Sequence, residues 1–287
     1  VNNSPDHLAS RFVICFENWP YNEAAKYPDL LSIAEQKVKP ERLKLPPITS
    51  DYIKLRTRWW QFARFGLDMR KAIMPLERLL IRSRVSEYHM LAFVPKGMIY
   101  SDATVVFAFD DLYNFALLQS WIHEVWLRRQ ASTMRTDIRY TPTDCFQTFP
   151  FPQNALESQK KASEQEGQAF YAHRQSIMQR RRLGLTKTYN LFNSPSCQDE
   201  DIQQMRILQV RMDRSILACY GWEDIDPQHD FYPNDRKKIR FMPSPAAQRE
   251  IFTRLVALNQ EIAAQEAAQG LVVEAGEEDE IDEETEA

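Results

Sequence analysis

Ser132–Pro152 reads STMRTDIRYTPTDCFQTFPFP, and the fold and the site are both decided by how this stretch is read. In an extended chain, side chains two apart share a face, so Arg135, Asp137 and Arg139 project together while Thr136 and Ile138 take the opposite side. Arginine donors match the paired acceptors of guanine in the major groove, and a carboxylate accepts from the exocyclic amine of cytosine. Arg135, Thr136, Asp137 and Arg139 are therefore candidate base-reading residues, with Tyr140 and Thr141 beside them as candidate contacts to a DNA backbone. The same alternation also suits an ordinary solvated strand face. Beyond Tyr140, Pro142, Pro150 and Pro152 stop regular structure, and Phe146, Phe149 and Phe151 can anchor the strand's exit on a core.

Upstream, Leu79–Arg84, His89–Val94 and Thr104–Phe109 are short β-rich runs separated by turn-compatible residues, which predicts an antiparallel meander. Arg82 and Arg84 share a face of the first run, opposite Ile81, and join the candidate base-reading set. Asp111–Arg129 has apolar residues at three- and four-residue steps and Asp110 or Asp111 as an N-cap, so it reads as one long helix over the sheet. His123 sits beside its apolar stripe as a structural histidine, because no nucleophile is paired with it. Nearer the start, Arg11–Phe16 (RFVICF) reads as a buried strand, Glu23–Val38 as helix interrupted near Pro28, and Pro40–Ile53 as a proline-bearing connector. In Arg58–Arg64 (RWWQFAR) aromatic and basic residues mix, making Arg58, Trp60 and Arg64 candidate backbone contacts. Adjacent tryptophans also serve as core anchors, which is expected of at least one of Trp59 and Trp60.

From Asn154 the pattern is helical. Residues 155–182 end in Arg180, Arg181 and Arg182 before Gly184, where cations compensate a helix dipole or, with Lys187, clamp phosphates. Further helices are predicted over Asp199–Tyr220, stopped by Gly221, and over Pro245–Gln269. The whole reads as an α+β chain, with a small, mostly antiparallel sheet and covering helices followed by a helical subdomain. Its expected divisions are an entry strand, helix and connector (1–57), a recognition domain (58–153), a helical DNA clamp (154–270) and an acidic tail (271–287).

The formal charge of −4 conceals an asymmetry, because nine of the 40 acidic residues follow residue 270, where no Lys or Arg occurs. Over residues 1–270 the 36 basic residues face 31 acidic ones, a balance of +5 that suits local phosphate contacts. The tail reads as disordered, or alternatively as a DNA mimic that suppresses nonspecific binding. No apolar run is long enough to span a bilayer, and no signal peptide is apparent, so a soluble, cytoplasmic chain is expected. Cys15, Cys145, Cys197 and Cys219 form no CxxC pair, and the histidines are equally scattered, so neither a zinc ribbon nor a disulfide framework is indicated.

This stretch, together with Ser10–Pro20, Arg58–Arg64, Leu76–Pro95, Phe115–Arg129 and Gly184–Pro195, resembles the specificity half of Eco57I/MmeI-like type IIG restriction-modification proteins. In that family an adenine N6-methyltransferase core is followed by a target recognition domain, and relatives of the architecture act as phage-defence methyltransferases. The resemblance implies double-stranded DNA as partner, and S-adenosylmethionine as cofactor of the intact protein. It also implies a methyltransferase domain upstream in the same polypeptide. The catalytic Asn/Asp-Pro-Pro-Tyr/Phe tetrapeptide is missing, its nearest string being Asn18-Trp19-Pro20-Tyr21, and with 7 glycines there is little material for a cofactor turn. No residue here is assigned to catalysis, cofactor or metal, and the 287-residue chain alone is expected to be inactive, as a piece of a larger polypeptide. A protein-interaction or scaffolding role in a defence complex is the alternative, separable by whether duplex binding is salt-dependent and sequence-selective.

Overall fold

The computed structural model describes residues 2–9, 11–63, 66–134 and 137–270. Short helices open it: α1 (Tyr21–Ala24), α2 (Pro28–Lys37), α3 (Lys39–Lys44), α4 (Ser50–Thr57) and α5 (Leu67–Ile73). Arg11–Phe16 is not a buried strand. No strand pairs with it among the described residues, Phe12 and Val13 are exposed, and Phe16 turns inward onto Ala24, Leu31, Ala34 and Trp59 with Ile14 half-buried against the same cluster. The expected connector over Pro40–Ile53 is largely helical as well. Pro40 occupies the first turn of α3, where its missing N–H costs nothing, and the Thr49 hydroxyl caps α4 by accepting from Tyr52 N–H at 3.2 Å.

The meander follows: β1 (Arg78–Ser83), β2 (Val85–Ser86), β3 (Ala92–Pro95) and β4 (Thr104–Phe107). β1 is central in an antiparallel sheet ordered β3-β1-β4, with Ile81 opposite both Ala92 and Val106. Both of its faces are covered, so Leu79, Leu80, Ile81 and Arg82 are all buried, whereas β4 alternates buried and half-buried residues. His89–Leu91 precede β3 without ladder partners. Their backbone is satisfied by the Gln119 amide, which accepts from Leu91 N–H at 2.9 Å and donates to the His89 carbonyl at 3.1 Å.

The single helix expected over Asp111–Arg129 is two, α6 (Leu112–Gln119) and α7 (Trp121–Gln130), with Ser120 extended between them. Asp111 caps α6 as expected, accepting from Asn114 N–H at 2.7 Å. The break is stabilised from outside. Asp213 accepts the freed Trp121 N–H at 2.9 Å, a tertiary cap that local periodicity cannot reveal. Then come β5 (Ser132–Met134), β6 (Asp137–Arg139) and α8 (Pro142–Cys145), followed by the chain through Phe149, whose ring meets His123 edge-on at 4.5 Å and Phe151 at 5.5 Å.

The remaining elements are α9 (Glu157–Arg181), α10 (Leu185–Phe192), α11 (Glu200–Cys219), β7 (Asp230–Pro233), β8 (Ile239–Met242) and α12 (Pro245–Ala268). Helix α9 lies so close to α6 that a Cβ at Gly167 would sit 2.8 Å from the Leu112 carbonyl oxygen, which is why glycine stands there. One hydrophobic cluster runs from Leu80 to Leu255 and crosses residue 154 without interruption, so the helical part and the sheets share a core. The fold is α+β. No helix among the described residues is long and apolar enough to cross a membrane.

Candidate nucleic-acid interface

β5 and β6 form an antiparallel hairpin, Ser132 opposite Arg139 and Met134 opposite Asp137, and β6 also pairs with β2, Val85 opposite Arg139. Of the alternating set expected along one extended strand, Asp137 and Arg139 lie on β6. Arg135, Thr136 and Arg64 lie outside the described residues. Within β6 the pleat sends Ile138 into the core, leaves Arg139 exposed and keeps Asp137 half-buried. Arg84 joins this sheet through its carbonyl, which accepts from Tyr140 N–H at 2.8 Å. Its own Nε is closed off from solvent with no acceptor among the described residues, and the half-buried guanidinium stands beside β6.

Arg82 does not share that surface. Its side chain is 0% exposed, donates to His89 Nδ1 at 2.6 Å and lies 4.5 Å from the Tyr140 ring centre. Because a guanidinium only donates, Nδ1 of His89 accepts, and Nε2 carries the proton it gives to the Leu118 carbonyl. Burial draws the Arg82 pKa down to about 10, and burial beside Arg82 holds His123 at about 3 and His89 well below its ordinary value. Tyr140 is equally buried, with its hydroxyl 3.1 Å from His123 Nε2. Arg82 and Tyr140 therefore cross-link the sheet interior, and the expectation that they touch DNA is corrected: neither presents surface to a ligand.

The other expected backbone contacts also divide. Trp60 is half-buried, donating its indole N–H to the Trp19 carbonyl at 2.9 Å, with Trp59 buried beside it. Arg58 is exposed and Thr141 half-buried at the cap of α8. Arg181 binds Asp201 at 3.0 Å and Asp199 at 2.7 Å, and Arg180 reaches Asp201 at 3.1 Å. Those two charges tie the end of α9 to the start of α11, which corrects the reading of Arg180 and Arg181 as open phosphate contacts. Arg182, left-handed at φ 52°, and Lys187 remain exposed.

Ile138 forms part of the wall of a cleft of about 410 Å³ between α7, the β7–β8 hairpin and the first turns of α12. Arg128, Arg129, Arg236, Lys238, Arg240 and Arg249 line it, against the acids Glu87 and Asp235. Glu87 Oε1 receives both Lys238 Nζ and Arg240 Nη2 at 2.6 Å. Burial pushes this carboxyl up, but those two cations outweigh it and hold its pKa below the ordinary value. Arg128 pairs with the buried Glu124 at 2.9 Å, while Arg236 and Arg249 are exposed and have no ion pair among the described residues. The sequence reading missed this cluster. A signal existed in Pro233-Asn234-Asp235, turn residues between two short β-prone runs, although their folding back onto α7 was not legible.

The sequence profile described as MmeI, target recognition domain, matches residues 7–153, just over half of the chain. The chain belongs to that family. The match takes in β5, β6 and the α7 side of the cleft, and stops before the β7–β8 hairpin. No curated protein matches the chain. The solved structure of the Type IIL restriction-modification enzyme MmeI in complex with DNA is similar, with a TM-score of 0.64 at 18% identity. That alignment covers 87% of this chain and 28% of MmeI, so the two share a fold and this chain spans a minor part of the enzyme's length.

Proposed function

We propose that this member of the MmeI target recognition domain family reads the base sequence of double-stranded DNA for an adenine N6-specific methyltransferase acting in restriction-modification or phage defence. The observation that carries the reading is the hairpin. β6 offers an exposed arginine and a half-buried carboxylate two residues apart, beside the half-buried Arg84 and at the lip of a cleft rich in cations. Arg139 supplies paired donors for a purine edge, Asp137 an acceptor for an amine, and Arg84 a further donor. Arg135 and Thr136, between the two strands, extend this reading set. Arg58, Thr141, Arg182 and Lys187 serve the phosphates and fix register, carrying no sequence information themselves.

The turn after β4 is not built for a methyl donor. The helix that follows β4 opens on Asp111, whose own carboxylate occupies the cap, and no glycine turn stands there to admit a cofactor. S-adenosylmethionine and the flipped adenine accordingly belong to a methyltransferase domain upstream in the same polypeptide, working in the cytoplasm, and no chemical step is assigned to these residues.

The test is enrichment of a random duplex pool by the protein that carries this chain, with binding followed over a range of salt. One sequence class should emerge, at an affinity that falls steeply with salt. Binding without enrichment would overturn the reading and favour a scaffolding role.

A further inference from the structure

We infer that the cleft between α7, β7–β8 and α12 is a second DNA contact, a seat for backbone phosphates in which Glu87 stands as the counter-ion that a phosphate displaces. This rests on the DNA-reading role proposed above and adds to it a site lying mostly beyond the matched residues 7–153.

Three features of the cleft carry the inference. Its charge is lopsided, six cations against Glu87 and Asp235, in a concavity large enough for a phosphodiester segment. Its cations fall into two kinds. Arg236 and Arg249 are exposed and uncommitted to any acid among the described residues, while Lys238 and Arg240 are aimed at one point by a single carboxylate oxygen, at 2.6 Å each. That oxygen marks where two donors already converge, and a phosphate oxygen carries the same charge and accepts the same hydrogen bonds. Its position fits a duplex too. Ala131 and Ile138 belong to the cleft wall, so the β5–β6 hairpin that carries Arg139 on its other face borders the cleft, within the span of a duplex held there.

Arg240 is the best-held donor, 9% exposed and 5.0 Å from the Tyr88 ring centre, so the seat is preorganised on one side and open on the other. Such a seat contributes affinity without sequence preference, because phosphates are the same at every step.

The experiment measures duplex binding by the intact protein against salt concentration, on its selected sequence and on a scrambled one. It compares wild type, the Arg236→Gln/Arg249→Gln double variant, Glu87→Gln and Arg139→Ala. Arg236 and Arg249 are exposed, so the double variant keeps the wild-type melting temperature. It should lower the slope of log K against log salt by about two ions and weaken both duplexes alike. Glu87→Gln should tighten both duplexes several-fold at low salt, because the phosphate no longer competes with a fixed carboxylate. An unchanged slope in the double variant, with Arg139→Ala still relaxing the sequence preference, overturns the phosphate seat and leaves the reading role standing. A wild-type protein that does not distinguish the two duplexes overturns the reading role and the inference with it.

Discussion

The interior and the cleft of this molecule both gather arginines, and use them in opposite ways. Arg174 is buried among Phe115, Phe170, Tyr171 and Tyr189, and donates to Leu91 O at 2.6 Å, Gln119 Oε1 at 3.2 Å and Tyr189 Oη at 3.1 Å. Arg206 donates to the carbonyls of Leu191, Phe192, Ser194 and Cys197, closing the C-terminal end of α10. In the cleft, Arg236 and Arg249 have solvent where the interior arginines have carbonyls. The guanidinium is the same in both places. What decides its role is whether the fold supplies acceptors in a fixed geometry or leaves the donors for a ligand.

The sharpest way to break this division is to remove an interior arginine. Arg174→Ala should cost about 4 kcal/mol in urea unfolding, since it opens a cavity and strands the buried Leu91 carbonyl and Tyr189 hydroxyl, while Gln119 Oε1 keeps the Leu91 N–H. Arg174→Lys should not rescue it, because one ammonium cannot span the three positions. A loss below about 1 kcal/mol would mean that the buried arginines are dispensable and the contrast with the cleft is empty.

Acid should reveal the next effect. His89 and His123 are neutral in the fold, the second with a pKa of about 3, against an ordinary value of 6.5. An unfolded chain takes up those two protons as the pH falls below about 6.5, and the folded chain does not. Their contribution to stability is therefore complete above that value and declines below it, by up to about 1.4 kcal/mol per pH unit for each histidine. Glu124, pushed up by burial, pulls the other way over part of the same range as one group against two. The urea midpoint should fall between pH 6.5 and 5, and His123→Gln should shallow that fall. A flat profile would show that the cluster around Arg82 is open to solvent.

Arg139→Ala should come next, costing about 1–3 kcal/mol on the selected duplex and little on others. The smallest effect belongs to the cleft taken one residue at a time. Arg236→Gln should leave stability within about 0.5 kcal/mol and lower the salt slope by about one ion.

The sequence made β1, β3 and β4 legible, as well as α9, α11 and α12, because apolar spacing within one element reports its own geometry, whereas β2 lay in residues read as a turn. Elements whose form depends on a distant partner stayed hidden. Ser120 breaks a helix because Asp213 waits 93 positions on, and RFVICF has the apolar content of a strand but pairs with none among the described residues. Arg82 illustrates the limit for the site. Alternation correctly placed it opposite Ile81, but only the tertiary structure shows that both faces of β1 are covered. Arg139 shares the pattern on a strand whose outer face stays open, so the two looked alike in sequence and differ in burial alone. The cleft was illegible for the same reason, its cations coming from α7, β8, α12 and a turn far apart along the chain.

The most direct measurement of the central claim is binding-site selection by the intact protein in three forms: wild type, Arg139→Ala and Arg236→Gln. The account predicts one consensus for wild type, the same consensus for Arg236→Gln, and for Arg139→Ala a consensus degenerate at one position. If Arg139→Ala returns the wild-type consensus unchanged, β6 is a solvated strand face and does not read the sequence.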